Sequence, residues 1–377
     1  MSGVTAAERS LMRVAVDAAT EARRRVAPWP HVGAAVLTDD GTVVAGATGS
    51  FPTGPHAEVD AIANAGAARL AALATTLEPC DHHGNTPPCT DAIIAAGIPR
   101  VLVGIEDPDP KVAGRGIARL RAAGIQVDIG AEAAAVERQL AAYLHQRRTG
   151  RAYCVVKVAT SLDGRIAAAD GTSRWISGAE ARRDAHELRA DSQAIVVGAG
   201  TARADDPALT VRNAGGPPIG AQPLRVLLDG RGRVPATGAL ADTSLAPTLV
   251  VTTDRAPRDY RAAWQASGAE VVEVGFVVDA AGSGVDLAAT LELLGARGVL
   301  QAMVEGGAYL HGALLRAGLA DRIVAYVANT LLGSDGLAGY GLGGVATIAD
   351  APRWRLVDVA RCGDDVRLDY VAPPKER

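Results

Sequence analysis

His56, Glu58, Cys80 and Cys89 occur in the order His-x-Glu, then Pro-Cys, then Cys. Zinc in a catalytic site takes three nitrogen or sulfur ligands and leaves a fourth position to water, and His56, Cys80 and Cys89 form such a set. A glutamate two residues past the histidine does not bind the metal. It can carry a proton between an activated water and a leaving amino group, and Glu58 holds that place. The joint pattern points to hydrolytic loss of an amino group. Both cysteines read as lying at helix N-termini, where the dipole favours the thiolate. Eight residues from Asp81 to Pro88 separate them. This insertion is either a plain loop or a substrate-binding one, and His82 or His83 could reach an anionic group or act as an alternative ligand.

These residues need elements to position them. The chain has 377 residues, enough for two domains with full cores. Net charge is −4, with acidic and basic residues nearly balanced in both halves, so the basic face expected of a nucleic-acid binder is missing. The start lacks the layout of a signal peptide, and no apolar run is long enough to span a bilayer. A cytosolic location is expected, where four cysteines are metal ligands or buried thiols more often than disulfides.

Periodicity predicts a helix over 5–25 with Leu11, Val14, Ala15, Ala18 and Ala22 on one face. It predicts two strands joined by an Asp-Gly turn over 32–46, a helix over 56–71, an extended run at 75–79, a helix over 89–97 closed by Gly97, and a strand at 100–107. A helix from 133 to 146 runs into a polar, glycine-containing stretch. We therefore divide the chain into 1–147, a linker at 148–151, and a second domain at 152–377. That second part repeats the alternation: a strand leading to a turn over 152–164, a strand with a glycine-rich exit over 193–200, strands at 223–230 and 248–253, a helix at 178–191, and strand, Gly-Gly turn and helix over 298–318. The fold class is α/β in both domains, with largely parallel strands. Gly198-x-Gly200 lacks the third glycine and the helix of a dinucleotide fingerprint. Glu305-Gly306-Gly307 before a helix is the better phosphate cradle, or else a small-residue packing turn.

The run PHAE, TLEPC, HHG and TPPC resembles the deaminase half of the bifunctional deaminase/reductase family of riboflavin biosynthesis. The likeness continues through DPDPKVAGRGIARLRAAGI (107–125), KVATSLDGRIAAADGTSRWIS (157–177), ADDPALTVR (204–212) and VEGGAYLHGALL (304–315). It implies a cytidine-deaminase-like zinc domain followed by a reductase domain similar in fold to dihydrofolate reductase and using NADPH. Through the matched positions it implies that Ala159, Trp175, Thr201, Asp205, Gly307, Ala308, Tyr309, Leu310, His311, Gly312 and Ala313 meet the cofactor. Ser173, Arg189, Leu209, Arg212 and Glu305 would meet a phosphoribosylaminopyrimidine, the two arginines through its phosphate. Lys157 and Asp205 could stabilise or protonate the opened sugar. A homodimer is also implied.

Two positions depart from the family pattern: Trp29 stands where an amide side chain is common, and Gly49 where many members carry histidine. Two rivals follow. One is a paralogue that acts on another aminopyrimidine or keeps one activity. The other is a non-catalytic scaffold stabilised by zinc, which would require a fourth protein ligand.

Overall fold

The computed structural model describes residues 4–50, 52–212, 216–279, 282–343 and 345–373. The chain divides into two compact units, Met1–Gly150 and Arg151–Arg377.

In the first unit the order is α1 (Ala6–Ala22), β1 (Gly33–Thr38), β2 (Val43–Ala47), α2 (Ala57–Ala65), β3 (Leu70–Leu77), α3 (Cys89–Ala95), β4 (Arg100–Ile105), α4 (Arg115–Ala122), β5 (Gln126–Ile129), α5 (Ala133–Gln139) and α6 (Ala141–Thr149). The strands lie in the order β2-β1-β3-β4-β5. Only β3, β4 and β5 run parallel. The tight turn at Gly41, with φ +87°, returns β2 along β1, and β1 is antiparallel to both neighbours. Ala34, Val36, Leu73, Val101 and Val103 pack with Ala57, Ala61, Ile93, Ile117 and Leu120, which seats α2, α3 and α4 on the sheet. Across from them α1 meets β1, β3 and α5.

Three expectations change. The buried face of α1 is Leu11, Met12, Ala15, Ala19 and Ala22, while Val14 and Ala18 are only half-buried. The helix after His56 stops at Ala65, because Gly66 takes φ +62° and releases the chain into β3. The helical stretch from Ala133 breaks at Leu140 and runs to Thr149, where left-handed Gly150 ends it, so part of the expected linker is helix.

The second unit contains β6 (Tyr153–Thr160), β7 (Arg165–Ala167), α7 (Ala179–Ala190), β8 (Ala194–Gly198), α8 (Ala199–Asp205), β9 (Leu224–Leu228), β10 (Thr248–Thr252), α9 (Arg258–Ala266), β11 (Glu270–Glu273), β12 (Phe276–Asp279), β13 (Gly282–Val285), α10 (Leu287–Ala296), β14 (Gln301–Val304), α11 (Ala308–Arg316), β15 (Arg322–Val327), β16 (Leu337–Ala338), β17 (Arg355–Cys362) and β18 (Asp365–Val371). Nine strands form one sheet in the order β11-β10-β9-β8-β14-β6-β15-β18-β17, parallel from β11 to β15 and antiparallel beyond. Strands β6, β8, β9 and β14 are almost wholly buried, as a sheet covered on both faces requires. A short helix, α8, does follow Gly198, contrary to the sequence reading, because Gly198 takes an extended N-cap conformation.

Gly33 shows how closely these layers approach. A Cβ there would lie 1.8 Å from the Ala15 carbonyl oxygen, within α1. Gly33→Ala is expected to destabilise the first unit by about 1–3 kcal/mol. Thermal denaturation of the full chain checks this, and an unchanged transition would contradict the packing.

Candidate metal centre and cofactor cavity

His56 is the extended N-cap of α2, Cys80 lies in the loop leaving β3, and Cys89 is the first residue of α3. Their donor atoms lie within 4.8 Å of one another. His56 Nδ1 is 3.1 Å from Cys89 Sγ and 3.5 Å from Cys80 Sγ, and the two sulfurs are 3.5 Å apart. Only Cys89 begins a helix, which corrects the reading of both cysteines as helix-terminal. Even so, the Cys89 backbone N–H donates to Cys80 Sγ at 3.4 Å, so α3 serves both. The Cys89 thiol, Cys89 N–H and His56 together hold the Cys80 thiol well below the ordinary range despite burial, while Cys89 is held above it. One nitrogen and two sulfurs, one already favouring thiolate, fit zinc.

Thr86 Oγ1, from the insertion loop, stands 3.3 Å from His56 Nε2, the ring nitrogen turned away from the sulfurs. His82 and His83 are exposed and stand outside the donor cluster. Glu58 is buried in the first turn of α2, 3% exposed, with Thr75 Oγ1 donating to it at 3.4 Å. Burial pushes its carboxyl above the usual range, although His56 opposes this. Trp29 sets its ring edge-on to His56, with centroids 5.8 Å apart. Gly49 is a steric requirement, since a Cβ would lie 2.6 Å from Pro55 Cδ in the turn that delivers His56.

In the second unit a cavity of about 1090 Å³ opens where β6, β8, β9 and β14 end. Ala159, Ser173, Trp175, Thr201, Asp205, Leu209, Glu305, Ala313 and the stretch from Gly307 to His311 line it. Gly312 and Arg212 do not. A Cβ on Gly312 would lie 2.0 Å from the Gly341 carbonyl oxygen, so this glycine packs a loop against α11. Arg212 is half-buried and bridges to Pro218. Arg189 is in the cavity, but its fork is engaged. It pairs with both carboxylate oxygens of Glu305, Nη2 at 2.8 Å from Oε2, and Nη1 donates to Thr210 O at 3.1 Å. Arg189 thus holds Glu305 instead of offering a free fork to phosphate. Burial alone would raise Glu305, but Arg189, with Lys157 and His186, outweighs it and holds the carboxyl at about 2. Burial pushes Lys157 down, and it pushes His311 down to about 4. Neutral His311 accepts from Gly306 N–H at 3.3 Å through Nε2, and its Nδ1 lies 3.2 Å from Gly339 O.

Residues 5–105 match the cytidine and deoxycytidylate deaminase zinc-binding region, and residues 152–368 match the RibD C-terminal domain. The chain is 39% identical to riboflavin biosynthesis protein RibD of Escherichia coli over 370 residues, covering 96% of this chain and 98% of that one. It is 40% identical to that of Mycobacterium tuberculosis over 364 residues, 96% of each. The chain belongs to the RibD family. Among solved structures, Acinetobacter baumannii RibD superposes with a TM-score of 0.84 at 35% identity, covering 97% of this chain and 98% of that one. A Thermotoga maritima protein described as a diaminohydroxyphosphoribosylaminopyrimidine deaminase/5-amino-6-(5-phosphoribosylamino)uracil reductase gives 0.81 at 30% identity, with the same coverage.

As a RibD-family member the chain is a riboflavin-biosynthesis enzyme, with a zinc-binding deaminase domain and an NADPH-dependent reductase domain. No helix among the described residues is long and apolar enough to cross a membrane. Sequence reasoning missed one stripe of the RibD cavity: Arg182, Ala185 and His186 line it beside Arg189, and Arg182 stacks over Trp175 at 4.4 Å. Their spacing of three and four residues on α7 was the available signal.

The Glu305 carboxyl is depressed in the fold, so its contribution to stability is present above its ordinary value of 4.5 and is lost as pH falls from there toward 2. Arg189→Ala leaves a half-buried carboxylate unpaired and is expected to destabilise the second unit at pH 7, by up to about 3 kcal/mol. At pH 3 the loss should be smaller, because unpaired Glu305 is then protonated. Denaturant unfolding at both pH values checks this, and equal losses would reject the pairing.

Proposed function

We propose that the chain performs two consecutive steps on one small molecule. The first unit removes the 2-amino group of 2,5-diamino-6-(5-phosphoribosylamino)pyrimidin-4-one, and the second reduces the ribosyl chain to give 5-amino-6-(5-phosphoribitylamino)uracil. The observation that carries this reading is the convergence of His56, Cys80 and Cys89 with the buried carboxyl of Glu58 on the same helix turn.

His56, Cys80 and Cys89 would hold zinc. When bound, zinc supplies a Lewis acid that activates water. Glu58 takes the proton released by that water and returns it to the departing amino nitrogen. Its raised affinity for protons suits both halves of the task. Thr75 hydrogen-bonds the carboxyl and limits its rotation.

In the cavity, NADPH supplies hydride when bound. Gly307 and the first residues of α11 would offer backbone N–H groups to a phosphate, while the Gly306 N–H is taken up by His311 Nε2. Thr201 and Asp205 on α8 and Trp175 across the cavity would meet the cofactor. Glu305, fixed by Arg189, and Lys157 would face the sugar. The resemblance assigns Arg212, half-buried and not among the cavity-lining residues, to the phosphate.

A cytosolic setting belongs to this reading, since cysteines there serve as metal ligands or buried thiols more often than disulfides. A homodimer belongs to the same reading, and the exposed Leu356 and Val359 on edge strand β17 support it. A second reading, a paralogue for another aminopyrimidine, is favoured by one observation: Trp29 stands against the His56 ring.

Incubating the purified chain with the diaminopyrimidinone ribotide, with and without NADPH, separates the readings. Ammonia without NADPH, then a two-hydrogen mass gain with it, supports both steps; turnover of neither half-substrate rejects them. Glu58→Gln is expected to lower ammonia release by about 10²–10⁴-fold. Bound zinc and reduction of the deaminated ribotide should be unchanged, and retained deamination would reject the role of Glu58. Chelation should abolish ammonia release and spare reduction.

A further inference from the structure

The stretch at 107–122 takes no part in the chemistry described above, yet it stands directly behind the metal loop. A Cβ on Gly116 would lie 1.8 Å from the Pro79 carbonyl oxygen, so the backbone of α4 presses on the residue before Cys80. Buried Glu78 accepts the N–H groups of Gly114 at 2.9 Å and Ile117 at 3.2 Å, which fastens the start of α4 to the same strand exit. One turn on, Arg119 Nη1 donates to Asp81 Oδ1 at 2.8 Å, and Nη2 pairs with Asp91. Asp81 follows Cys80, and Asp91 lies two residues past Cys89. Thr90 closes the arrangement, its Oγ1 donating to Asp81 Oδ1 at 2.7 Å and its N–H to Cys80 O at 3.2 Å.

The eight residues between the cysteines could otherwise let the sulfurs separate, since a loop of that length is loosely tied. A planar guanidinium that grips a carboxylate at each end of the loop opposes that separation. We propose that Arg119 is a positioning residue of the metal centre, a clamp that sets the approach of Cys80 and Cys89 from outside the ligand set. This rests on the reading that His56, Cys80 and Cys89 hold zinc. Arg119 touches neither sulfur and acts through Asp81 and Asp91.

The test uses the full chain, with zinc affinity read by competition with a chromophoric chelator and the metal-free fold by circular dichroism and thermal denaturation. The parent is expected to bind zinc and His56→Ala to lose it; a parent that binds none overturns the metal reading, and the clamp with it. Arg119→Ala is expected to weaken zinc by about 10–100-fold while the metal-free melting temperature stays close to the parent's. Arg119→Lys should recover part of this, since an ammonium cannot grip both carboxylates in one plane. Arg121→Ala, which loses a bond to Val127 O at 3.0 Å on the same helix, should leave affinity unchanged. With a zinc-binding parent, an Arg119→Ala affinity within about threefold of it overturns the clamp alone. Equal weakening by Arg121→Ala also overturns it, as a general softening of α4. If Arg119→Ala does not fold, Asp91→Asn takes its place: weakened zinc binding supports the clamp, and unchanged binding overturns it.

Discussion

Parallel strands cannot be joined by a tight turn; each must be left through a connection that crosses back over the sheet, here most often a helix, although β9 and β10 are joined by an irregular stretch. That constraint gathers strand ends and helix starts along one edge, where backbone N–H groups stand open and the chain can approach a ligand closely. In the second unit the cavity forms where β6, β8, β9 and β14 give way to loops and to α8 and α11. In the first, the exit of β3 carries Cys80 toward the starts of α2 and α3, which bring His56 and Cys89. Two unrelated chemistries thus arise from the same property of parallel sheets.

What occupies those edges is decided by charge and burial. Glu58 is enclosed with no cation bonded to it and is pushed toward the protonated form. Glu305, half-buried in the cavity wall, is gripped by Arg189 and is held ionised. The two glutamates therefore favour opposite protonation states, and only the second is pinned by a guanidinium. The first suits a group that must gain and lose a proton; the second suits a fixed negative charge beside a sugar.

The metal donors were legible from sequence because zinc restricts ligand type so strongly that His56, Cys80 and Cys89 had few competing explanations. Helix and strand identities were legible where the period was long and clean, as in α7 and β6. Other features depend on residues that periodicity cannot see. Gly66 cuts a helical pattern by backbone conformation, and although the Asp-Gly turn between β1 and β2 was legible, nothing in the alternation of strand and helix shows that β1 is also antiparallel to β3. The partner of Arg189 lies 116 residues away, so nothing local could show that its fork was engaged. Gly49 read as a lost side chain, whereas the structure shows a turn with no room for one.

The contact between Gly312 and Gly341 reaches further than packing. Gly341 N–H donates to Ala308 O at 2.8 Å, Arg316 Nη1 donates to Gly341 O at 2.5 Å, and His311 meets Gly339 O. The turn at Gly306 and the stretch 339–341 therefore form a single mechanical part, although more than thirty residues of chain separate them. Neither piece can be exchanged alone. In a chimera built from two relatives, α11 and the 339–341 stretch must come from the same parent, because a side chain on either glycine would drive a wedge between them.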